Sequence, residues 1–204
     1  MNSRDMWEIE KQCFVDGYQI ICGVDEAGRG PLAGPVCAAA VILPPNLQIP
    51  GLDDSKKLSD KRRRELFSVI QEQAVAYGIA FADHSEVDQL NILQATFLAM
   101  ERAIAQLPVH PDLALIDGNR EKDFGIPVKT VIHGDSLSAS IAAASILAKV
   151  TRDDYMLEMA RQYPVYGFEI HKGYGTKAHY AALEASGPSP IHRMTFLKKL
   201  YGTK

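Results

Sequence analysis

Residues 19–43 read QIICGVDEAGRGPLAGPVCAAAVIL, which is two apolar runs joined by a glycine-rich turn. The first run, residues 19–24, is short and rich in apolar side chains, and Asp25 and Glu26 follow it directly. The second run, residues 36–43, is apolar throughout and is stopped by two prolines. Short apolar runs bounded by turn residues are typical of buried strands. The pattern therefore predicts two neighbouring buried strands, with two carboxylates at the end of the first.

The remaining sequence alternates between helical and strand patterns. Helices are predicted over residues 61–76, with Ser59 as the N-cap, and over residues 91–107 and 138–159. Strands are predicted over residues 78–82, 113–116 and 128–132, and two shorter helices near residues 177–185 and 190–200. This order indicates an α/β protein with a mixed central sheet flanked by helices. The pattern does not determine which strands pair.

Composition bounds the possible classes of protein. The 204 residues suffice for one domain with a full core, and the mixture of 47% hydrophobic and 23% charged residues is typical of a globular chain. The net charge of −3 gives no overall basic field for nucleic acid, although residues 56–64 hold six Lys and Arg side chains. Three cysteines without a C-x-x-C pair indicate reduced thiols. Without an apolar signal core or membrane-length run, a cytoplasmic location is expected.

Four carboxylates lie at or just beyond predicted strand ends: Asp25, Glu26, Asp117 and Asp135. If the strands are neighbours, the four side chains converge, and their mutual repulsion requires cations such as Mg²⁺ or Mn²⁺. Two such ions on a carboxylate cluster are typical of phosphodiester hydrolysis. The alternative is structural, because a single aspartate at a strand end is usually a turn or helix-capping residue.

The glycine-rich turn allows a second interpretation. Residues 28–33, GRGPLA, match the dinucleotide-binding pattern G-x-G-x-x-G/A, and Asp53 and Asp54 follow about 20 residues later. That fold requires a helix after the glycines, whose N-terminus binds the pyrophosphate. Here a predicted strand follows instead. The dinucleotide hypothesis is therefore the weaker one, and a turn that admits a sugar-phosphate backbone is the stronger.

Six segments together resemble the ribonuclease HII family. They are CGVDEAGRGPLAGPVCAAAVIL (22–43), LDDSKKLSDKRR (52–63), VDQLNILQAT (87–96), LALIDGNR (113–120), GDSLSASIAAASILAKVTRD (134–153) and HKGYGT (171–176). The resemblance extends over residues 20–195, and the combination of segments is far more specific than any one motif.

The resemblance implies a ribonuclease H-like fold with a helical C-terminal extension. Residues 1–204 would form one catalytic domain, with the core at about 18–162 and the extension at about 163–204. It implies a site for Mn²⁺ or Mg²⁺ without an organic cofactor. The oligomeric state stays open, with a monomer as the default expectation. The catalytic and metal-binding residues implied are Asp25, Glu26, Asp117 and Asp135.

The resemblance also implies the substrate. The enzyme would hydrolyse the RNA strand of RNA–DNA hybrids and nick DNA duplexes 5′ to single ribonucleotides, leaving 5′-phosphate and 3′-hydroxyl ends. The glycine turn would recognise the ribose 2′-hydroxyl at the cut. Tyr174 would contact the RNA–DNA junction, and Lys56 and Lys57 would contact phosphates. The implied substrate-binding residues are Gly28, Arg29, Gly30, Lys56, Lys57 and Tyr174. Solvated lysines, or a binding module without catalysis, remain the alternatives.

Overall fold

A five-stranded mixed sheet forms the centre of the computed structural model, which describes residues 5–202. Its strands are β1 (Ile21–Ala27), β2 (Val36–Ile42), β3 (Ala76–Ala82), β4 (Leu113–Asp117) and β5 (Val128–Val131). Their spatial order is β3-β2-β1-β4-β5, with β1 antiparallel to β2 and parallel to β4. The predicted mixed sheet and the predicted pair of neighbouring strands are both confirmed.

Helices cover both faces of this sheet. They are α1 (Glu8–Val15), α2 (Asp60–Gln73), α3 (His84–Leu90), α4 (Ile92–Ala105), α5 (Ala139–Gln162), α6 (Phe168–His171), α7 (Lys177–Ser186) and α8 (Lys198–Tyr201). In β2, Ala38 and Ala40 share a core with α4, whereas Cys37 and Ala39 share another with α2 and α5. Successive strand residues point to opposite faces, so β2 is apolar throughout because both its faces are buried.

Helix α5 lies unusually close to β1 because small residues line the contact. A Cβ atom added at Gly23 would stand 2.1 Å from the Ser140 carbonyl carbon and 2.3 Å from the Ile141 amide nitrogen. No side chain larger than hydrogen fits there without moving the helix backbone. The Ala- and Ser-rich start of α5 and Gly23 of β1 together set the distance between the helix and the sheet.

Several predicted boundaries differ from the structure, among them the end of the helix predicted over residues 61–76, which stops at Gln73 because β3 begins at Ala76. Two other differences bear on the site. Strand β1 does not stop at residue 24 but continues through both carboxylates to Ala27, because its ladder with β2 extends to the pair Ala27–Cys37. The helix predicted over residues 190–200 is absent from its first half, where His192 forms a β-bridge with Ala33. A 3-10 turn, Met194–Leu197, and α8 follow it. Helices α1 and α3 were not predicted.

The C-terminal helices pack against the end of α5 and the glycine-rich turn. Leu32 and Ala33 of that turn share an apolar cluster with Met156, Phe168 and Leu183. The turn is therefore covered by side chains that lie more than a hundred residues later in the sequence. Because strand β2, not a helix, follows these glycines, the structure contradicts the dinucleotide-binding hypothesis. Within residues 5–202, no helix is both long and apolar enough to cross a membrane.

Candidate active site

Asp25 and Asp117 are brought together by the pairing of two parallel strands. The register of β1 and β4 pairs Gly23 with Leu115 and Val24 with Ile116. One step further along the same register sets Asp25 beside Asp117. Residues two apart in a strand share a face, so Asp25 lies on the α5 face with Gly23, and Asp117 lies there with Leu115. The ends of the two strands thus present two carboxylates side by side.

Asp135 joins them from the turn that precedes α5. The backbone amide of Gly134 donates a 2.7 Å hydrogen bond to Oδ1 of Asp117, which ties the 3-10 turn Gly134–Ser136 to the end of β4. Carboxylate oxygens of Asp25, Asp117 and Asp135 all lie within 4.8 Å of one another. Asp25 and Asp135 are buried, and Asp117 is partly buried. Oxygen-only donors this close together match the preference of Mg²⁺ or Mn²⁺.

Glu26 is set apart from this cluster, although it borders the same cavity. As the neighbour of Asp25 in β1, it points to the opposite face of the sheet. Its Oε1 forms a 3.2 Å ion pair with Nη1 of Arg29. Glu26 also lines a cavity on the α4 side together with Asp117. The structure therefore brings three of the four predicted carboxylates together and leaves the fourth at their margin.

Burial and mutual repulsion perturb these acids. Desolvation raises the pKa of Asp25 well above its ordinary value, and the charges of Glu26 and Asp117 raise it further. Desolvation also raises the pKa of Asp117, with Asp135 as the next contribution. Burial raises the pKa of Glu26, while the nearby Arg29 guanidinium opposes that shift. The carboxylates are thus held where their negative charges are unfavourable unless cations compensate them.

Most of the predicted substrate-binding residues line one cavity of about 240 Å³ beside these acids. Tyr174 is about half exposed there, and a Cβ added at Gly30 would lie 3.5 Å from its ring. Lys56 is bound to the acid cluster through a 3.1 Å contact between its Nζ and Oδ2 of Asp135. The predicted residues that line the cavity are Asp25, Glu26, Gly28, Arg29, Gly30, Lys56, Asp117 and Tyr174.

Lys57 is placed differently. Its Nζ contacts Oδ1 of Asp53 at 3.1 Å and donates a 3.0 Å hydrogen bond to the Ser136 hydroxyl. It is therefore adjacent to the turn that carries Asp135, but it does not line the cavity described above.

The glycine-rich turn is held by a buried arginine that sequence analysis did not identify. Arg193 is fully buried, and its Nη2 donates to the carbonyl of Gly28 at 2.7 Å. Its Nη1 donates to the carbonyls of Arg29 and Pro31, and its Nε to that of Gly34. One guanidinium thus fixes four carbonyls of the turn. No local sequence pattern indicates these partners, because they lie about 160 residues earlier in the chain.

Three further residues line this cavity although they are not among the predicted site residues: Ser55, Ser145 and Lys149. Ser55 and Ser145 are buried, and their hydroxyls share a 2.7 Å hydrogen bond beside Asp25. Lys149 lines the same cavity and forms a 2.7 Å ion pair with Asp153. Ser145 and Lys149 lie one helical turn apart on α5, a spacing that could have indicated a polar stripe facing the site.

Comparison with known proteins gives consistent results. A family model described as "Ribonuclease HII" matches residues 22–199. A protein named ribonuclease HII from Geobacter metallireducens is 54% identical over 196 residues, covering 96% of this chain and 92% of its own. One from Dechloromonas aromatica is 59% identical over 177 residues, covering 87% and 90%. The crystal structure of ribonuclease H2 from Pyrococcus horikoshii superposes with a TM-score of 0.71 at 26% identity, covering 87% and 93%.

Proposed function

This chain belongs to the ribonuclease HII family, and we propose that it nicks DNA duplexes 5′ to embedded ribonucleotides, leaving 5′-phosphate and 3′-hydroxyl ends. Membership of the family gives the coarser activity: the protein is a metal-dependent nuclease that hydrolyses phosphodiester bonds in the RNA of RNA–DNA hybrids. The finer proposal concerns the position of the cut, the number of metal ions and the residues responsible.

The observation that carries the proposal is the carboxylate cluster. Asp25, Asp117 and Asp135 present only oxygen atoms, all within 4.8 Å of one another, and burial disfavours the charged forms of Asp25 and Asp117. These residues, with Glu26 at their margin, would hold two divalent cations, Mn²⁺ or Mg²⁺. Such a pair of ions supplies activation of a water molecule and stabilisation of the leaving 3′ oxygen.

The residues around the cluster would bind and orient the nucleic acid. The turn Gly28–Gly30 has little side-chain bulk apart from Arg29, so a ribose 2′-hydroxyl can approach its backbone. The Tyr174 ring stands beside Gly30 and would stack at the RNA–DNA junction. Lys56 and Lys57 would contact phosphates, which explains how a chain of net charge −3 holds a polyanion. We further propose that one catalytic domain acts as a monomer.

The test uses a labelled DNA duplex with a single ribonucleotide, incubated with the protein in Mg²⁺, in Mn²⁺ and in chelator. We expect a cut on the 5′ side of the ribonucleotide that requires the metal. Asp117→Asn removes a charged ligand and should reduce the rate by about 100-fold or more. Asp16→Asn is the matched control, since Asp16 is exposed at the end of α1, and it should cut at the normal rate.

Each result separates one part of the proposal from the rest. Cleavage of a long RNA–DNA hybrid without cleavage of the single-ribonucleotide duplex would overturn the junction roles of Gly28–Gly30 and Tyr174 but leave the metal site standing. Full activity of Asp117→Asn would overturn the carboxylate assignment. Binding of either duplex without any cleavage in Mg²⁺ or Mn²⁺ would favour a module that binds without catalysis.

A further inference from the structure

Three buried histidines cluster at the HKGYGT segment and have no role in the proposed chemistry: His171, which is its first residue, and His179 and His192, which follow it in the chain. His179 and His192 are almost completely buried, and their Nε2 atoms are 3.0 Å apart. His171 stacks on His179 with ring centroids 4.5 Å apart and an interplanar angle of 18°. The Nδ1 atom of His179 lies 2.9 Å from the carbonyl oxygen of Tyr174. A hydrogen-bonded chain of side chains thus ends on the backbone of the candidate junction residue.

The donors and acceptors in this chain can have only one direction. The Ser189 hydroxyl lies 2.8 Å from Nδ1 of His192, and the Ser189 backbone amide donates to the same nitrogen at 2.8 Å. Because a backbone amide can only donate, this nitrogen accepts and carries no proton, whichever way the hydroxyl turns. A neutral His192 must then carry its proton on Nε2 and donate it to Nε2 of His179. His179 must in turn carry its proton on Nδ1 and donate it to the carbonyl of Tyr174. The fixed amide of Ser189 therefore determines the tautomer of both rings.

The Tyr174 loop is in turn connected to the glycine-rich turn. The Leu32 amide donates a 2.8 Å hydrogen bond to the Gly173 carbonyl, and the Tyr174 ring lies beside Gly30. His171 supports the same loop, since its Nδ1 accepts from the Gly173 amide at 3.2 Å. A shift of the Tyr174 backbone would therefore change the distance between the tyrosine ring and the turn that admits the ribose.

We propose that His179 and His192 are positioning residues for Tyr174, whose carbonyl they hold through a directional chain of two neutral imidazoles that starts at the Ser189 amide. This inference rests on the proposed role of Tyr174 at the RNA–DNA junction. Helix α7, which carries His179, and the segment that carries His192 would then help to choose the substrate, although neither touches the carboxylates. Burial agrees with neutral rings, because it lowers the pKa of His179 and lowers that of His192 to about 4.

The first test compares His179→Asn with His179→Leu, because asparagine and leucine have nearly the same shape. Asparagine sets an amide N–H where Nδ1 lies and can still donate to the Tyr174 carbonyl, whereas leucine cannot. Both lose the contact with His192, so they share the same structural defect. We measure kcat and KM on a single-ribonucleotide duplex and on a long RNA–DNA hybrid. His179→Leu should lower the preference for the single ribonucleotide about tenfold, and His179→Asn should restore most of it.

Tyr174→Ala, assayed in parallel, separates failure of the inference from failure of the proposed function. If it lowers the preference and His179→Leu does not, only the histidine inference is overturned. The same holds if His179→Leu and His179→Asn behave identically. If Tyr174→Ala leaves the preference unchanged, the junction role of Tyr174 is overturned, and the inference with it.

A second measurement needs no variant. Nitrogen-15 NMR of the histidine rings in the unaltered protein distinguishes an Nδ1-protonated ring from an Nε2-protonated one. The chain requires His179 to be protonated on Nδ1 and His192 on Nε2 at neutral pH. An Nε2-protonated His179, or a positively charged ring at either position, would overturn the proposal even if every variant failed to fold.

Discussion

Gly28 and Gly30 stand two residues apart in the same turn, yet they are required for different reasons. Gly28 has φ +98°, and a Cβ there would lie 2.0 Å from Nε of the buried Arg152 and 2.8 Å from the Pro35 carbonyl oxygen. Gly30 has a φ outside the left-handed region, and its Cβ would meet only the Tyr174 ring, at 3.5 Å. The fold therefore demands glycine at position 28, whereas at position 30 it leaves room for a methyl group, and glycine is needed there only for the proposed approach of the substrate.

We predict opposite outcomes for alanine at these two positions. Gly30→Ala should change the free energy of unfolding by less than about 0.5 kcal/mol, yet reduce cleavage about tenfold because the methyl group occupies the path of the ribose. Gly28→Ala should destabilise the protein by about 1–3 kcal/mol. Urea unfolding and cleavage of the single-ribonucleotide duplex measure the two effects. Full cleavage by Gly30→Ala would contradict the assignment of this turn to the substrate.

At this scale, some residues could be predicted from sequence and others could not. Asp25 and Glu26 were recognisable because two adjacent acids directly after an apolar run are an unusual local pattern. Asp117 and Asp135 were single acids near strand ends, and the resemblance supported them, as it also directed attention to Tyr174. Arg193 gave no such signal. Its function depends on carbonyl groups of residues 28–34, and only the tertiary structure shows that these surround its side chain. Buried arginines that bind distant backbone leave no periodic trace in sequence.

Among the elements, the long helices and buried strands were predictable, and the short helices were not. In helix α4, apolar residues recur at helical spacing along all 14 residues. Helix α2 has the predicted N-cap, since the Ser59 side chain accepts a hydrogen bond from the Arg62 amide. Helix α3 has only seven residues and depends on a capping box between Asp83 and Glu86. Isolated helices of that length are not stable in water, so packing and capping decide whether they form. Periodicity carries little information about such elements.

The close contact between β1 and α5 gives a prediction at the scale of elements. Gly23→Ala would set a methyl group 2.1 Å from the α5 backbone, so the helix must move away from the sheet. Such overpacking should cost about 3 kcal/mol of stability. Because the turn that carries Asp135 leads directly into α5, cleavage should also fall.

Gly30→Ala serves as the matched control for stability in urea unfolding, because it is the same substitution made where space is available. Equal unfolding midpoints for the two variants would mean that α5 yields without strain. In that case the distance between this helix and the sheet would not be what holds Asp135 against Asp25.

For the whole molecule, strand order was the feature that no pattern in the sequence determined. The order β3-β2-β1-β4-β5 places β1 at the centre and makes β4 its parallel neighbour. Asp25 and Asp117 are 92 positions apart, and only this pairing brings them together. Residue patterns show which face of a strand is buried, but pairing depends on how helices cross between strands. The sequence therefore predicted which acids to consider and the class of fold, but not how the fold places those acids relative to one another.

The acid cluster links the function of the whole molecule to its stability. Burial and neighbouring charges raise the pKa of Asp25 and Asp117 in the folded protein. An acid whose pKa is raised by folding favours the native state below its unfolded pKa of about 3.9 and opposes it once the pH exceeds the folded value. At neutral pH, in chelator, the cluster should therefore reduce stability, and a bound divalent cation should reverse that effect.

We accordingly predict that Mn²⁺ or Mg²⁺ raises the Tm at pH 7.5, by an amount equivalent to about 2.7 kcal/mol at a concentration 100 times the Kd. The increase should shrink as the pH falls toward 4, because protonated carboxyls bind metal poorly. Asp135→Asn removes one of the charges that raise the pKa of Asp117, so in chelator at pH 7.5 its Tm should exceed that of the unaltered protein. In metal the order should reverse, since a ligand has been lost. Asp16→Asn should keep the full metal-dependent increase, and an equal increase in Asp135→Asn would show that Asp135 does not hold the cation.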